Sequence, residues 1–395
     1  MNEMRSLILY PFPMELDGVS IQGDMLYRGL LHHKQQAVAC DREADVEKQL
    51  IYKSFKPDAV IGVGYWGDAP SIIKHPLQYG VTPVPWLNAD GWVSNYHDVL
   101  NDLPLIMVTS NWVKHTYKRD GVTNKNIEVM PIGIDMQEMR PLPKDDARIQ
   151  NIREMLGIRP EQKMILTAGG DTTSKGFQEV LQALGKIDKE FPDWVYVGKS
   201  WEQCVPYYHY KEELKIMKEL GIRKKVRFLD GPLSREFMCC LLNACDVYAA
   251  PSRIDGFGMI QVEAQACGRP VLGIESMGIA DTVLHGKTGF LAKVGKEVKL
   301  TGEWVYKWQG FKKKQKIKFS EPKTFGIRAD VDDLAKYLLQ LLTDDQLRQK
   351  MGAAAREHVV RNFDYVKTSG DIYNLIEKKL GLNGREKATV AVRQK

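Results

Sequence analysis

The chain has little that would take it across a membrane or fasten it with metal or sulfur. Its first apolar run, Ser6-Leu-Ile-Leu-Tyr10, is too short for a signal-peptide core, and no stretch approaches the ~20 apolar residues of a membrane span. The six cysteines, Cys40, Cys204, Cys239, Cys240, Cys245 and Cys267, lack metal-ligand spacing, and most sit in apolar runs. This pattern implies a reduced, cytoplasmic protein without structural disulfides, and the adjacent Cys239-Cys240 as helix filling. No set of carboxylates is assigned to a metal. The charge imbalance is small, +6 from 56 Lys and Arg against 50 Asp and Glu, so attraction to anions is weak. What remains is an ordinary globular composition, 44% hydrophobic and 27% charged over 395 residues, enough for two domains with their own cores.

Apolar runs alternate with amphipathic segments, as a doubly wound sheet requires. Predicted strands in the first half are Leu7–Tyr10, Ala59–Gly62, Val84–Leu87, Leu105–Val108 and Ile127–Met130. Predicted helices are Gly23–His32, Asp45–Ser54, Ala69–Leu77 and Asn111–Arg119, the last capped by Ser110. Prolines and polar residues mark 131–143 as a linker. A second series follows at Met164–Thr167, Val195–Gly198, Val226–Leu229, Val247–Ala250 and Val271–Ile274. Two such series imply a ligand cleft between domains. Domain limits are set at 1–143 and 151–362, with a frayed polar tail over 381–395.

The most telling segment is Pro251-Ser-Arg-Ile-Asp255-Gly-Phe-Gly258, followed eight residues after Asp255 by Glu263-Ala264. A short strand precedes it. A helix from Met259 to Cys267 follows, stopped by Gly268 with Pro270 beyond. The loop therefore lies at the carboxyl end of a parallel strand, where open sheets bind ligands. Glycines let backbone approach a ligand, and helix-opening amides suit phosphate. On one regular helix the two carboxylates would lie about 12 Å apart along the axis. A glycosidase pair sits roughly 5–9.5 Å apart, so these two are better placed to grip opposite ends of a long polyhydroxylated ligand.

With Cys267-Gly-Arg-Pro-Val271 and His285-Gly-Lys-Thr-Gly-Phe-Leu291, this motif resembles the signature of family 4 glycosyltransferases. Phe228-Leu-Asp-Gly231, Pro131-Ile-Gly-Ile-Asp135 and Lys175-Gly176 fall in the family's order. The resemblance implies a GT-B fold: α/β, two Rossmann-like domains facing across a cleft, the last helices, about 364–380, crossing back onto the first. It implies a retaining, metal-independent hexosyltransferase that uses a UDP- or GDP-type sugar donor as co-substrate and no cofactor. By the same resemblance Glu263 binds ribose hydroxyls, and Asp255, one methylene shorter than the family's usual Glu, binds a sugar hydroxyl. The backbone of Gly256, Phe257 and Gly258 meets the sugar, and Pro232-Leu233 the base.

A departing diphosphate needs positive charge. Lys175 and the amides at Gly258 and Met259 are the candidates. Lys175 opens a helix, against the dipole, unless it has a task. The family's arginine five residues earlier is here Gly170, and Arg253 could stand in for it or be a surface residue. On the acceptor side, Gly18 lies in the loop after the first strand, and Asp90 stands where the family often carries a histidine. The acceptor is open. A phosphorylase or sugar-nucleotide epimerase, or a catalytically silent binding protein, would share the donor site.

One stretch departs from the family outline. From Lys293 to Lys323 there are ten lysines, with Trp304, Trp308, Phe311 and Phe319 among them. This insertion, about 293–325, suggests a solvated β-hairpin or loop, peripheral contact with an anionic membrane, or contact with a charged acceptor. Nucleic acid is not expected, since no recognition fold accompanies it.

Overall fold

The alternating apolar runs become two parallel sheets of six strands each. The computed structural model describes residues 4–89, 91–200 and 207–382. The first sheet holds β1 (Ser6–Tyr10), β2 (Ala37–Asp41), β3 (Ala59–Tyr65), β4 (Trp86–Asn88), β5 (Ile106–Val108) and β6 (Ile127–Val129). Its order is β2-β1-β3-β4-β5-β6. The second holds β7 (Lys163–Ala168), β8 (Trp194–Ser200), β9 (Val226–Asp230), β10 (Val247–Ala249), β11 (Val271–Ile274) and β12 (Gly289–Ala292), in the order β12-β11-β10-β7-β8-β9. The first sheet reverses direction between β1 and β3, the second between β7 and β10. Ligands settle outside the strand carboxyl ends at such reversals.

Local chemistry explains the departures from expectation. The first helix spans Gly18–His32, five residues earlier than its apolar period suggests, because the Asp17 carboxylate caps Val19 and Ser20. Gly18 thus opens a helix instead of lying in a loop. The expected helix over 69–77 is broken into a 3₁₀ turn (Trp66–Asp68), a π turn (Pro70–Lys74) and a short helix (His75–Gln78). Pro70 and Pro76 remove donors that a continuous helix would use. β2 and β12 were not predicted as strands.

The helix Tyr365–Leu380 packs along Gly18–His32. A side chain at Gly29 would collide with Ser369, so the two helices approach backbone to side chain. The crossing is fixed where Ile134 donates to Phe363 O at 2.8 Å and Tyr365 donates to Ile134 O at 3.1 Å.

The lysine-rich insertion is a long antiparallel hairpin, β13 (Val294–Val305) and β14 (Gln315–Ala329). It is not solvated on all sides. It leaves the second domain and lies on the first, with the Phe319 ring 5.1 Å from Trp92. Asn95 donates to Gln309 O at 3.0 Å, and Lys323 pairs with Asp120 at 2.7 Å. Val305 is wholly buried, because alternate positions of the ribbon are apolar and need cover. Among the described residues no helix is long and apolar enough to cross a membrane.

Candidate functional site

The two reversal points face one another across a cavity of about 400 Å³. The loop after β1 and the ends of β3 and β4 form one wall, and the loops after β7, β9 and β10 with the end of β8 form the other. Gly18, Gly170, Lys175, Leu233, Asp255, Phe257, Gly258, Met259 and Glu263, all singled out from sequence, line it.

Asp255 lies in the loop after β10, outside the helix that begins at Met259, so the two acids of the motif are not on one helix. Its Oδ1 accepts from the amides of Phe257 and Gly258, at 3.2 and 2.7 Å. Its Oδ2 accepts from Lys175 Nζ at 2.7 Å. Burial pushes the Asp255 carboxyl up, but the Lys175 ammonium and the two amides outweigh it and hold it below its ordinary value. Gly258 stands at φ +84°, which a side chain would strain, and this conformation turns the chain into the helix. The Phe257 ring points into the core, 5.8 Å from Phe363, leaving its backbone at the cavity.

Glu263 sits on that helix with only 2% of its side chain exposed, so its charge must be matched. Arg235 matches it at 2.5 Å. Arg235 also reaches Glu138 at 3.4 Å, and Glu138 reaches Arg28 at 2.8 Å. This chain of charges ties the cavity to the linker and to the first helix. Sequence reasoning missed Arg235, although it follows the helix cap Ser234 and so opens a helix against the dipole, the signal used for Lys175. It also missed Lys199, the lysine near the carboxyl end of β8, together with Asn88 and Tyr65, all lining the cavity. A charged residue ending a buried strand was the available signal for Lys199.

Three assignments need correction or restriction. Arg253 is not at the cavity. Its guanidinium is bidentate on the buried Glu179, which Arg328 also pairs at 3.2 Å, and bonds Gln178 at 2.9 Å. Gly256 meets the other domain instead of lining the cavity, since a Cβ there would fall 1.8 Å from Asn88 Oδ1. Asp90 lies outside the described residues, as do Cys204 and the tail from 383. At Gly170 a Cβ would meet nothing within 4 Å, so the position is open to the cavity.

Among the described residues no group of three His, Cys, Asp or Glu side chains could hold a metal. The chain's one Asp-x-Asp, Asp330-Val331-Asp332, caps a helix: Asp330 accepts from the amides of Asp332 and Asp333.

Residues 148–305 match the family model described as glycosyl transferases group 1. D-inositol 3-phosphate glycosyltransferase of Corynebacterium glutamicum (strain R) is 27% identical over 295 residues, 73% of this chain and 57% of that protein. N-acetyl-alpha-D-glucosaminyl L-malate synthase of Bacillus anthracis is 27% identical over 213 residues, 54% of this chain and 44% of that one. The chain thus spans about half the length of the curated relatives it matches. Among solved structures, Anabaena HepE in complex with UDP and glucose superposes with a TM-score of 0.71 at 16% identity, covering 95% of this chain and 100% of that one. Sucrose-phosphate synthase from Thermosynechococcus elongatus does so at 0.72 and 14%, covering 96% and 100%. At such identities these likenesses establish the fold, GT-B, and nothing finer.

Proposed function

We propose that the chain is a member of the glycosyl transferases group 1, whose model matches residues 148–305, and that it moves a hexosyl group from a nucleoside-diphosphate sugar to a hydroxyl acceptor. The transfer keeps the anomeric configuration and uses no metal ion. The bond from the anomeric carbon to the diphosphate oxygen breaks. The acceptor oxygen bonds to that carbon on the same face, and its proton leaves with the diphosphate.

The observation that carries this reading is that two cation–carboxylate pairs, Lys175–Asp255 and Arg235–Glu263, line one cleft between two facing sheet reversals. Glu263 accepts ribose hydroxyls, beside Leu233 at the base. Asp255 fixes Lys175 and the loop amides, and keeps lone pairs for a sugar hydroxyl. Lys175 and the amides opening the helix at Met259 stabilise the departing diphosphate, where a fixed positive field acts most strongly in the transition state. Of the three carboxylates lining the cavity, Asp255 and Glu263 already serve protein cations and Asp17 caps a helix, which supports a metal-free mechanism. UDP is the first nucleotide to test, because the Anabaena neighbour was solved with it. Anionic small molecules bearing a hydroxyl are the first acceptors to test, because the curated relatives are named for D-inositol 3-phosphate and L-malate.

A thermal-shift screen of UDP, GDP, ADP and their sugars tests the donor site, since a ligand bound only by the native state raises apparent stability. If no nucleotide shifts the transition, the reading fails at its base. With a donor in hand, the anomeric coupling constant of the product tests retention, and activity after exhaustive chelation tests metal independence. Sugar phosphate or epimerised nucleotide as the product would point instead to a phosphorylase or an epimerase.

A further inference from the structure

The hairpin β13–β14 concentrates the charge of the whole protein. Residues 294–329 carry ten Lys and Arg against three Glu, a net +7, while the entire chain carries +6. Between Glu303 and Glu321 there is no carboxylate at all, only Lys307, Lys312, Lys313, Lys314, Lys316 and Lys318. All six are exposed. None of them has a carboxylate partner among the described residues; Lys299 and Lys323, nearer the base, do.

Strand register sorts these residues onto faces, because directly opposed residues of an antiparallel pair share one face and successive residues alternate. Trp304 stands opposite Lys316, and Gly302 opposite Lys318. Lys314 lies over the Trp304 ring at 5.3 Å. Trp304 and these lysines therefore form the outward face. Val305, Ile317 and Phe319 belong to the inward one, where Phe319 rests on Trp92. At the tip, Trp308 follows Lys307; one edge of its ring touches Gly67 of the first domain, and 67% of the residue stays exposed.

We propose that this outward face docks the protein on an anionic phospholipid bilayer, with Trp304 and Trp308 in the headgroup layer and the six lysines on lipid phosphates. Charge complementarity supplies the attraction, roughly five-fold in partition per lysine near such a surface. The tryptophans decide between a bilayer and a soluble polyanion. Indole rings favour the membrane–water interface, whereas on a water-facing ribbon they expose apolar area with no return. A free two-stranded ribbon could enter a nucleic-acid groove, but this ribbon is backed by the first domain and offers a platform. Its base is joined to the donor loop, since Ile327 donates to Arg253 O at 2.8 Å. Docking would therefore hold the cleft at a set orientation to the lipid surface. This inference is independent of the proposed reaction.

The test is co-sedimentation of the full chain with phosphatidylcholine vesicles, with and without phosphatidylglycerol, at low and molar salt. Sedimentation is expected only with phosphatidylglycerol and only at low salt, accompanied by a blue shift of tryptophan emission. Replacing Lys312, Lys313, Lys314, Lys316 and Lys318 by glutamine should abolish it while leaving the thermal transition unchanged. Trp304→Ser with Trp308→Ser should weaken it at least ten-fold with the charge intact. Failure of the wild type to sediment at low salt overturns the proposal. So does a tryptophan double variant that binds as wild type, and so does heparin or DNA that binds equally well to wild type and to that double variant.

Discussion

Lys175 and Asp255, 80 positions apart, meet at 2.7 Å on the floor of the cleft, so the charge we propose for the diphosphate is held by the acid of the signature loop. Removing the lysine leaves a buried carboxylate with two amides and the Ser252 hydroxyl but no counter-charge. Lys175→Met should cost roughly 3 kcal/mol of stability in denaturant titration, in the range for a broken buried pair. Turnover should fall further than nucleoside affinity, because the ammonium matters most as the diphosphate leaves. Lys175→Met with Asp255→Asn should regain stability but not turnover. A double variant that recovers activity would reduce Lys175 to a structural role.

Glu263 gives the second prediction. Glu263→Ala should weaken nucleotide binding by ten- to a hundred-fold, the worth of charged hydrogen bonds of about 1.5–3 kcal/mol. Arg235→Met should instead leave a buried, unpaired carboxylate and lower stability before it lowers affinity. Calorimetric titration with uridine and UDP separates them: equal affinity of Glu263→Ala and wild type for uridine would remove Glu263 from the ribose.

The limits of sequence reading follow from physics as well. Strands β7, β10 and β11 are apolar or nearly so, and their short apolar runs settle them. Asp45–Ser54 and Asn111–Arg119 carry clear helical signals, and the structure ends them at the same residues. The acid motif was legible because glycines, a proline and two carboxylates crowd fourteen positions. Arg253 was not, because its partner Glu179 lies 74 positions away and nothing local reveals it. Nor was the Arg235–Glu263 pair, which depends on two helices meeting in space. The hairpin's lysines were visible, but which face is packed depends on Trp92, a residue of the other domain.

Lys199 supplies a third prediction. It lines the cavity opposite the bare turn Gly169-Gly170, with its carbonyl accepting from Gly169 N at 3.1 Å. Lys199 lines the same cavity as Lys175, and we propose it as a second charge for the diphosphate. Lys199→Met should lower turnover by ten- to a hundred-fold, about 1.5–3 kcal/mol of transition-state stabilisation. Gly170→Arg in the same chain should restore part of it, since a side chain at 170 meets nothing. Single-turnover rates decide it. Unchanged turnover in Lys199→Met would show that Lys175 and the helix amides suffice.

Glu213 carries the pH prediction. It is buried beside Thr173, whose hydroxyl donates to it at 2.7 Å, and burial lifts its carboxyl from 4.5 to about 7. A raised acid binds its proton more tightly in the native state than in the unfolded one. Its stabilising effect is therefore complete below pH 4.5 and is lost as pH rises toward about 7. A displacement of this size corresponds to about 3 kcal/mol. Glu213→Gln keeps the hydroxyl bond and cannot ionise, so it serves as the reference in which all other titrations cancel. The stability of wild type minus that of Glu213→Gln, from urea titrations between pH 4 and 8, should fall by about this amount as pH rises. A flat difference across that range would mean that Glu213 is ionised in the native protein, with a counter-charge near Thr173 to hold it.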